Sequence, residues 1–166
     1  MLTPATKLDF PTLYKLLEDS FPIDEYRPRE AQKAILSDPR YALWTNDDRT
    51  ALISVWQFDD FAFIEHLAVS PSLRNQGLGG QILTEVLASL SCPVCLEAEL
   101  PETDLAQRRL NFYQRNGFFV NPFPYLQPAY SPDRSPVPMC LLYTLPLTQE
   151  QFEHIRDVLY REVYRV

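Results

Sequence analysis

The sequence predicts a mixed α/β fold of the α+β kind, with elements in the order α-α-β-β-β-α-β-α-β-β-α. Three observations carry this. Residues 41–69 hold three runs of strand character separated only by short Asn/Asp turns, so no helix fits between them. Segments 80–90, 105–116 and 148–164 instead repeat their apolar residues at helical spacing. The length of 166 residues, 46% of them hydrophobic, suffices for one ordered domain over residues 1–166, and no shift in composition divides it.

At the N-terminus, Asp9 is placed to cap a helix whose Leu13, Leu16 and Leu17 share a face and which stops near Phe21 and Pro22. Pro28 suits the start of a second helix that runs to about Ser37 and is halted by Pro39. The strands that follow are Tyr41 to Thr45, Thr50 to Phe58 and Phe61 to Val69, an antiparallel meander. Strand alternation gives Glu65 the same face as Phe63, Leu67 and Val69, and turns His66 to the opposite face. The helix from Gly80 to Leu90 lines up Ile82, Leu83, Val86, Leu87 and Leu90.

Val94 to Ala98 reads as a buried strand, Leu105 to Asn116 as a helix closed by Gly117 in a left-handed cap, and Phe118 to Val120 as the start of another strand. Residues 121–138 contain six prolines and no apolar period, so they read as a long, stiff surface loop of the kind that shapes binding sites. Met139 to Leu145 is the last strand. Thr148 and Gln151 then form a capping box for a C-terminal helix over 148–164, with Phe152, Ile155, Leu159 and Val163 on one stripe. That stripe covers the sheet or meets a second subunit, which leaves a homodimer open.

The net charge is −7, and Lys and Arg are scattered rather than clustered, which speaks against a nucleic-acid partner. The start of the chain lacks a basic and then apolar leader, and nowhere do eighteen apolar residues run together, so the reading is no membrane span and a cytoplasmic location. Cys92 and Cys95 form a Cys-x-x-Cys, but it precedes a strand rather than opening a helix, and only His66 and His154 could join the three cysteines around a metal. Buried reduced cysteines and no metal are the expectation; His66 reads as structural and His154 as a surface residue.

The most informative stretch is LAVSPSLRNQGLGG, residues 67–80, which holds three of the four glycines. A strand arrives, a polar loop follows and a helix begins, so several main-chain N–H groups and the helix dipole point one way, a natural seat for phosphate. A Walker loop would need Lys and then Ser or Thr where Gln81 and Ile82 stand, and the glycine spacing misses the dinucleotide fingerprint. What fits is Arg74-Asn75-Gln76-Gly77-Leu78-Gly79, followed by Gly80, which resembles the Arg/Gln-x-x-Gly-x-Gly/Ala motif of the GNAT superfamily of acyl-CoA N-acyltransferases. LNFYQRNGFF, residues 110–119, is similar to that family's helix ending in an aromatic pair and then Gly-Phe, at the expected distance.

The resemblance covers about residues 1 to 147 and implies a mostly antiparallel sheet of six to seven strands flanked by helices, with acetyl-CoA as cosubstrate and an amine as acceptor. It implies coenzyme binding at Arg74, Asn75, Gln76, Gly77, Leu78, Gly79 and Gly80. The Leu67 main chain falls where the family stabilises the oxyanion, and Val69 where it pairs with the pantetheine arm. Tyr113 holds the family's general-acid position; a phenol with a pKa of about 10 can protonate a thiolate without ionising itself at neutral pH. Glu65 is the candidate base for the amine. Ala106 and Arg109 depart from the Asn and Ala that many members carry on the Tyr113 helix, which puts contacts to the pantetheine or ribose end in question.

The acceptor site is expected between the segment around Phe21 to Arg29 and the loop 121–138, with Tyr26, Tyr125 and Tyr130 as walls and Asp24, Glu25 or Asp133 to attract a cation. A small-molecule amine is slightly favoured, since a long closed loop suits a small acceptor. The alternatives are a protein lysine or N-terminus, or a non-catalytic acyl-CoA-binding module.

Overall fold

The computed structural model describes all 166 residues. They form two compact units, Met1–Val94 and Cys95–Val166. Eight strands and five α-helices give the mixed α/β architecture that the periodicities predict, and the pairings described below are all antiparallel.

The first unit contains β1 (Thr3–Pro4), α1 (Phe10–Ser20), α2 (Arg29–Ile35), β2 (Tyr41–Thr45), β3 (Ala51–Gln57), β4 (Ala62–Val69) and α3 (Leu78–Ser89). The strands lie in the order β1-β2-β3-β4. The two-residue β1 is too short to leave a pattern in the sequence. Cross-strand partners place Tyr41, Trp56 and Phe63 on one face, where α2 reaches Tyr41 through a Gln32 Nε2 bond to its hydroxyl at 2.9 Å. The opposite face carries Trp44, Ile53 and Leu67, and there Trp44 lines a small cleft with Glu85, Val86 and Ser89 of α3. Helix α1 buries Phe10, Leu13, Tyr14, Leu16 and Leu17, and α3 buries Ile82, Leu83 and Val86. Each such side chain contributes about 1.5–3 kcal/mol of hydrophobic stabilisation.

Two local features differ from the sequence reading. Asp9 precedes α1 in helical conformation and makes no capping bond into the helix. Its carboxylate reaches backward, accepting from the Thr6 N–H at 2.8 Å and from Arg49 Nε at 2.5 Å, which holds the carboxyl below the usual range.

The second difference is a β-bulge. Ser54 faces His66 while Val55 faces Ile64, so Glu65 is an extra residue in β4. The bulge resets the alternation. Glu65 and His66 both project to the Trp56 face, shown by the Trp56 Nε1 bond to Glu65 and by the pairing of His66 with Ser54, two residues along β3 from Trp56, while Leu67 and Val69 belong to the other face through their partners Ile53 and Ala51. Strict alternation, which separates Glu65 from His66 and groups it with Leu67 and Val69, is therefore corrected. The main-chain N–H of His66 donates to Ser54 Oγ at 3.1 Å.

The second unit contains most of β5 (Val94–Glu99), then α4 (Asp104–Arg115), β6 (Phe119–Val120), β7 (Tyr125–Gln127), β8 (Val137–Tyr143) and α5 (Gln149–Val158). β5 pairs with β8, and both β6 and β7 also pair with β8. The Pro-rich segment is thus not wholly a loop: Tyr125, Leu126 and Gln127 pair with Met139, Pro138 and Val137. Thr148 and Gln151 form the expected capping box, and a π-helical stretch over Leu159–Tyr164 continues α5. Phe152, Ile155, Leu159 and Val163 are all buried, with Phe152 against Phe123 and Tyr125, so the terminal helix covers its own unit. No helix is long and apolar enough to cross a membrane.

Candidate active site

The segment leaving β4 builds an anion seat out of main chain. A 3-10 turn over Pro71–Leu73 leads to Arg74; Asn75 and Gly77 then adopt φ of 63° and 81°, and Gly77 caps α3. Left-handed residues alternating with ordinary ones curl successive amides to one side. The first intrahelical bond runs from Gln81 N to the Gly77 carbonyl, so the N–H groups of residues 77–80 lie ahead of the helical ladder. These donors, with the positive end of the α3 dipole, suit a diphosphate. Gly77 serves this loop through its positive φ, which a side chain at Cβ would strain.

Arg74 is committed more than the sequence suggests. Its Nε donates to the Val69 carbonyl at 2.8 Å and its Nη2 to Ser20 Oγ at 3.3 Å, so it pins the loop to the end of β4 and keeps only part of its donor set for a ligand. The same bond occupies one lone pair of the Val69 carbonyl. Gln76 turns back, with Nε2 on the Ser72 carbonyl at 3.3 Å. Leu67 sits in register with Ile53 just beyond the bulge.

Glu65 lies at the centre of a buried polar network. Arg27 donates to it twice, Nη1 to Oε1 at 3.0 Å and Nη2 to Oε2 at 2.9 Å, and Trp56 Nε1 adds a bond to Oε1 at 3.0 Å. The Glu65 side chain is 0% exposed and that of Arg27 5%; the partial exposure of residue 65 as a whole comes from its main chain. Arg27 Nη1 also reaches Gln32 Oε1 at 3.2 Å, and Gln32 Nε2 continues to the Tyr41 hydroxyl. Tyr41 titrates far above the usual tyrosine range, first because it is buried and then because of the Glu65 charge. His66 Nε2 meets the Glu25 carbonyl at 2.8 Å, and burial holds its pKa below the ordinary value. The structure therefore puts Glu65 in an ion pair rather than open toward an amine, and makes His66 a structural residue on the same face.

In the second unit, α4 carries Tyr113. Thr103 Oγ1 caps the helix by accepting from Ala106 N at 3.0 Å. Gly117, at φ 93°, ends it as expected, with Phe118 N bonded to the Tyr113 carbonyl at 3.1 Å and Gly117 N to Gln114 at 3.2 Å. The Tyr113 ring is half-buried and packs edge-on against Phe112 and Phe118, at 5.2 and 6.0 Å between centroids. Burial raises its pKa to about 12, with Arg109 one turn earlier working in the opposite direction. Arg109 is paired with Glu99 at 3.1 Å, and Ala106 is buried.

The three expected wall tyrosines fare differently. Tyr26, 7% exposed, packs edge-on against Tyr14, and Tyr125, 4% exposed, gives its hydroxyl to Glu97; both side chains are largely buried, Tyr125 while lining the groove described below. Tyr130 stays half-buried against Tyr164. Glu97 escaped the sequence reading although a charge within VCLEAE was its signal: it accepts from Tyr125 and, at 2.6 Å, from Tyr164. A groove of about 590 Å³ between β7 and α5 is lined by Pro124, Tyr125, Leu126, Arg156, Asp157 and Tyr160. The cysteines are free thiols, with Cys95 buried.

Comparison with known proteins gives one consistent family. The model of the acetyltransferase (GNAT) domain matches residues 39–119. "Putative acetyltransferase YjbC" of Bacillus subtilis (strain 168) is 32% identical over 107 residues, 63% of this chain, and the match spans 55% of that relative's length. The solved "Putative acetyltransferase from GNAT family" of Bacteroides thetaiotaomicron is 35% identical, with a TM-score of 0.91 over 100% of this chain and 99% of that one. A GNAT family acetyltransferase from Elizabethkingia anophelis, solved with acetyl-CoA bound, shares the fold at 20% identity, with a TM-score of 0.62 over 89% of this chain and 97% of that one.

Proposed function

Since the chain belongs to the GNAT family of acetyltransferases, we propose that it moves an acetyl group from acetyl-CoA to a primary amine, by direct attack in a ternary complex. The observation that carries this reading is the row of N–H groups over residues 77–80 at the start of α3, which suits the coenzyme's pyrophosphate. The acetyl-CoA bound by the Elizabethkingia anophelis relative supports the same cosubstrate. Asn75, Gln76, Gly77, Leu78, Gly79 and Gly80 offer main-chain donors, and Arg74 shapes the loop and lends its remaining N–H groups. The Leu67 main chain stabilises the anionic oxygen, and the Val69 main chain holds the pantetheine arm.

The transfer balances without a metal. The nitrogen lone pair of a neutral amine forms the C–N bond, the C–S bond breaks with its electrons on sulfur, one proton reaches sulfur and one goes to solvent. Tyr113 supplies the donor to the departing sulfur. The amine's proton was expected to go to Glu65; its ion pair with Arg27 argues for deprotonation before attack. The acceptor is a small molecule in this reading, the two compact units act as one domain in the cytoplasm, and the family match across residues 39–119, which spans the boundary at residue 94, supports treating them together.

The test is titration calorimetry with acetyl-CoA, followed by a panel of small amines, peptide N-termini and lysine peptides with released thiol as readout. Saturable acetyl-CoA binding and thiol release with small amines are expected. No binding removes the reading, and release with peptides alone moves the acceptor to protein. Binding without release across the whole panel makes the chain a non-catalytic acyl-CoA-binding module.

A further inference from the structure

We propose that Arg27 and Glu65 are positioning residues for the amine acceptor, and that Glu65 takes no proton during transfer; this rests on the acetyl-transfer reading above. The Glu65 carboxylate accepts from three donors: Arg27 Nη1 at 3.0 Å, Arg27 Nη2 at 2.9 Å and Trp56 Nε1 at 3.0 Å. A general base needs a lone pair within about 2.6–3.2 Å of the proton it removes. With its side chain wholly covered and Arg27 across both oxygens, Glu65 cannot reach the proton of an amine without breaking a buried ion pair.

What the pair does is hold one segment against another. Residues 22–28 join α1 to α2 and include Asp24 and Glu25, which are expected to attract a cationic acceptor. Arg27 ties this segment to Glu65, its carbonyl accepts the Tyr14 hydroxyl at 2.7 Å, and its guanidinium lies 5.9 Å from the Trp56 ring centre. Two residues earlier, the Glu25 carbonyl meets His66 Nε2. The connecting segment is thus fastened to two successive residues of β4, and it can be so only because the bulge turns both side chains to one face. An amine bound along 22–28 inherits its position from the strand whose main chain, at Leu67, faces the reaction. It reaches the thioester already neutral, having lost its proton to solvent.

The experiment compares the wild type with Glu65→Gln and with the double variant Arg27→Met/Glu65→Leu, which removes both charges and strands neither. The expected result in both is a KM for the amine raised about tenfold, kcat within about threefold, acetyl-CoA affinity unchanged, and the rising limb of kcat/KM with pH retained. Loss of that limb together with a fall in kcat of about 100-fold or more, the range for a missing general base, overturns the proposal, as does an unchanged amine KM. A measurement on the wild type needs no variant: amines with pKa values of about 8 and about 10 should shift the rising limb by their difference, whereas a limb fixed in the carboxylate range for every amine overturns it. Wild-type protein that binds no acetyl-CoA defeats the acetyl-transfer reading instead, a distinguishable failure.

Discussion

Replacing Tyr113 with Phe removes one hydroxyl and keeps the ring that packs against Phe112 and Phe118, so the variant should fold with the α4 cap intact. The size of the effect follows from the hydroxyl's pKa of about 12, raised by burial. A thiol titrates at about 8.5, so complete proton transfer from Tyr113 to a departed thiolate is uphill by on the order of 5 kcal/mol. Full donation ahead of C–S cleavage is therefore disfavoured, and the useful contribution is a hydrogen bond to charge growing on sulfur. Such bonds to charged groups contribute about 1.5–3 kcal/mol, which corresponds to a fall in kcat of roughly 10- to 200-fold in Tyr113→Phe. Steady-state thiol release at saturating amine reads it, with acetyl-CoA affinity measured separately and expected to stay constant. A kcat within twofold of wild type would take Tyr113 out of the mechanism. A loss well beyond 1,000-fold would mean that the proton is fully transferred and that the hydroxyl's pKa falls when substrate binds.

Two further outcomes test the frame around β4. Ser54→Ala leaves the buried His66 N–H without its acceptor at 3.1 Å and should lower unfolding free energy by about 1–3 kcal/mol in urea titration; an unchanged midpoint refutes the role given to Ser54. For His66, burial lowers the folded pKa, the neighbouring Glu65 charge and Glu25 carbonyl raise it and Arg27 lowers it further, with a net shift downward. A depressed folded value means that the stability held by neutral His66 is present above the unfolded pKa of about 6.5 and is lost as pH falls below it. The thermal midpoint should therefore decline between about pH 7 and 5.5, and His66→Gln, which keeps a donor for the Glu25 carbonyl, should flatten that decline; equal slopes in both proteins refute it.

Much of the architecture is written locally and was legible for that reason. α3 and α4 show their apolar stripes, Gly117 marks a helix end by its left-handed φ, and the Thr148/Gln151 box signals α5. The loop from Arg74 to Gly80 was legible because glycines at that spacing leave main chain as the binding group. Features set by tertiary pairing were not. β7 is three residues between Pro124 and Pro128, and only β8 makes it a strand. The bulge at Glu65 arises where Ser54 accepts a ladder N–H, and nothing in FAFIEHLAV announces it. That one inserted residue decides which face Glu65 uses, so the sequence located the carboxylate but not its surroundings. Arg27 bore no mark at all, since its partner lies 38 residues away.

The row of amides from Gly77 to Gly80 has a consequence for solvent exchange. Hydrogens held in a sheet or helix exchange only when the structure opens, but those at 77–80 precede the first intrahelical bond and should take up deuterium within the shortest labelling times. A diphosphate seated on them should slow that uptake at once, residue by residue. Occupancy of the loop can then be followed with no acceptor present and no product formed.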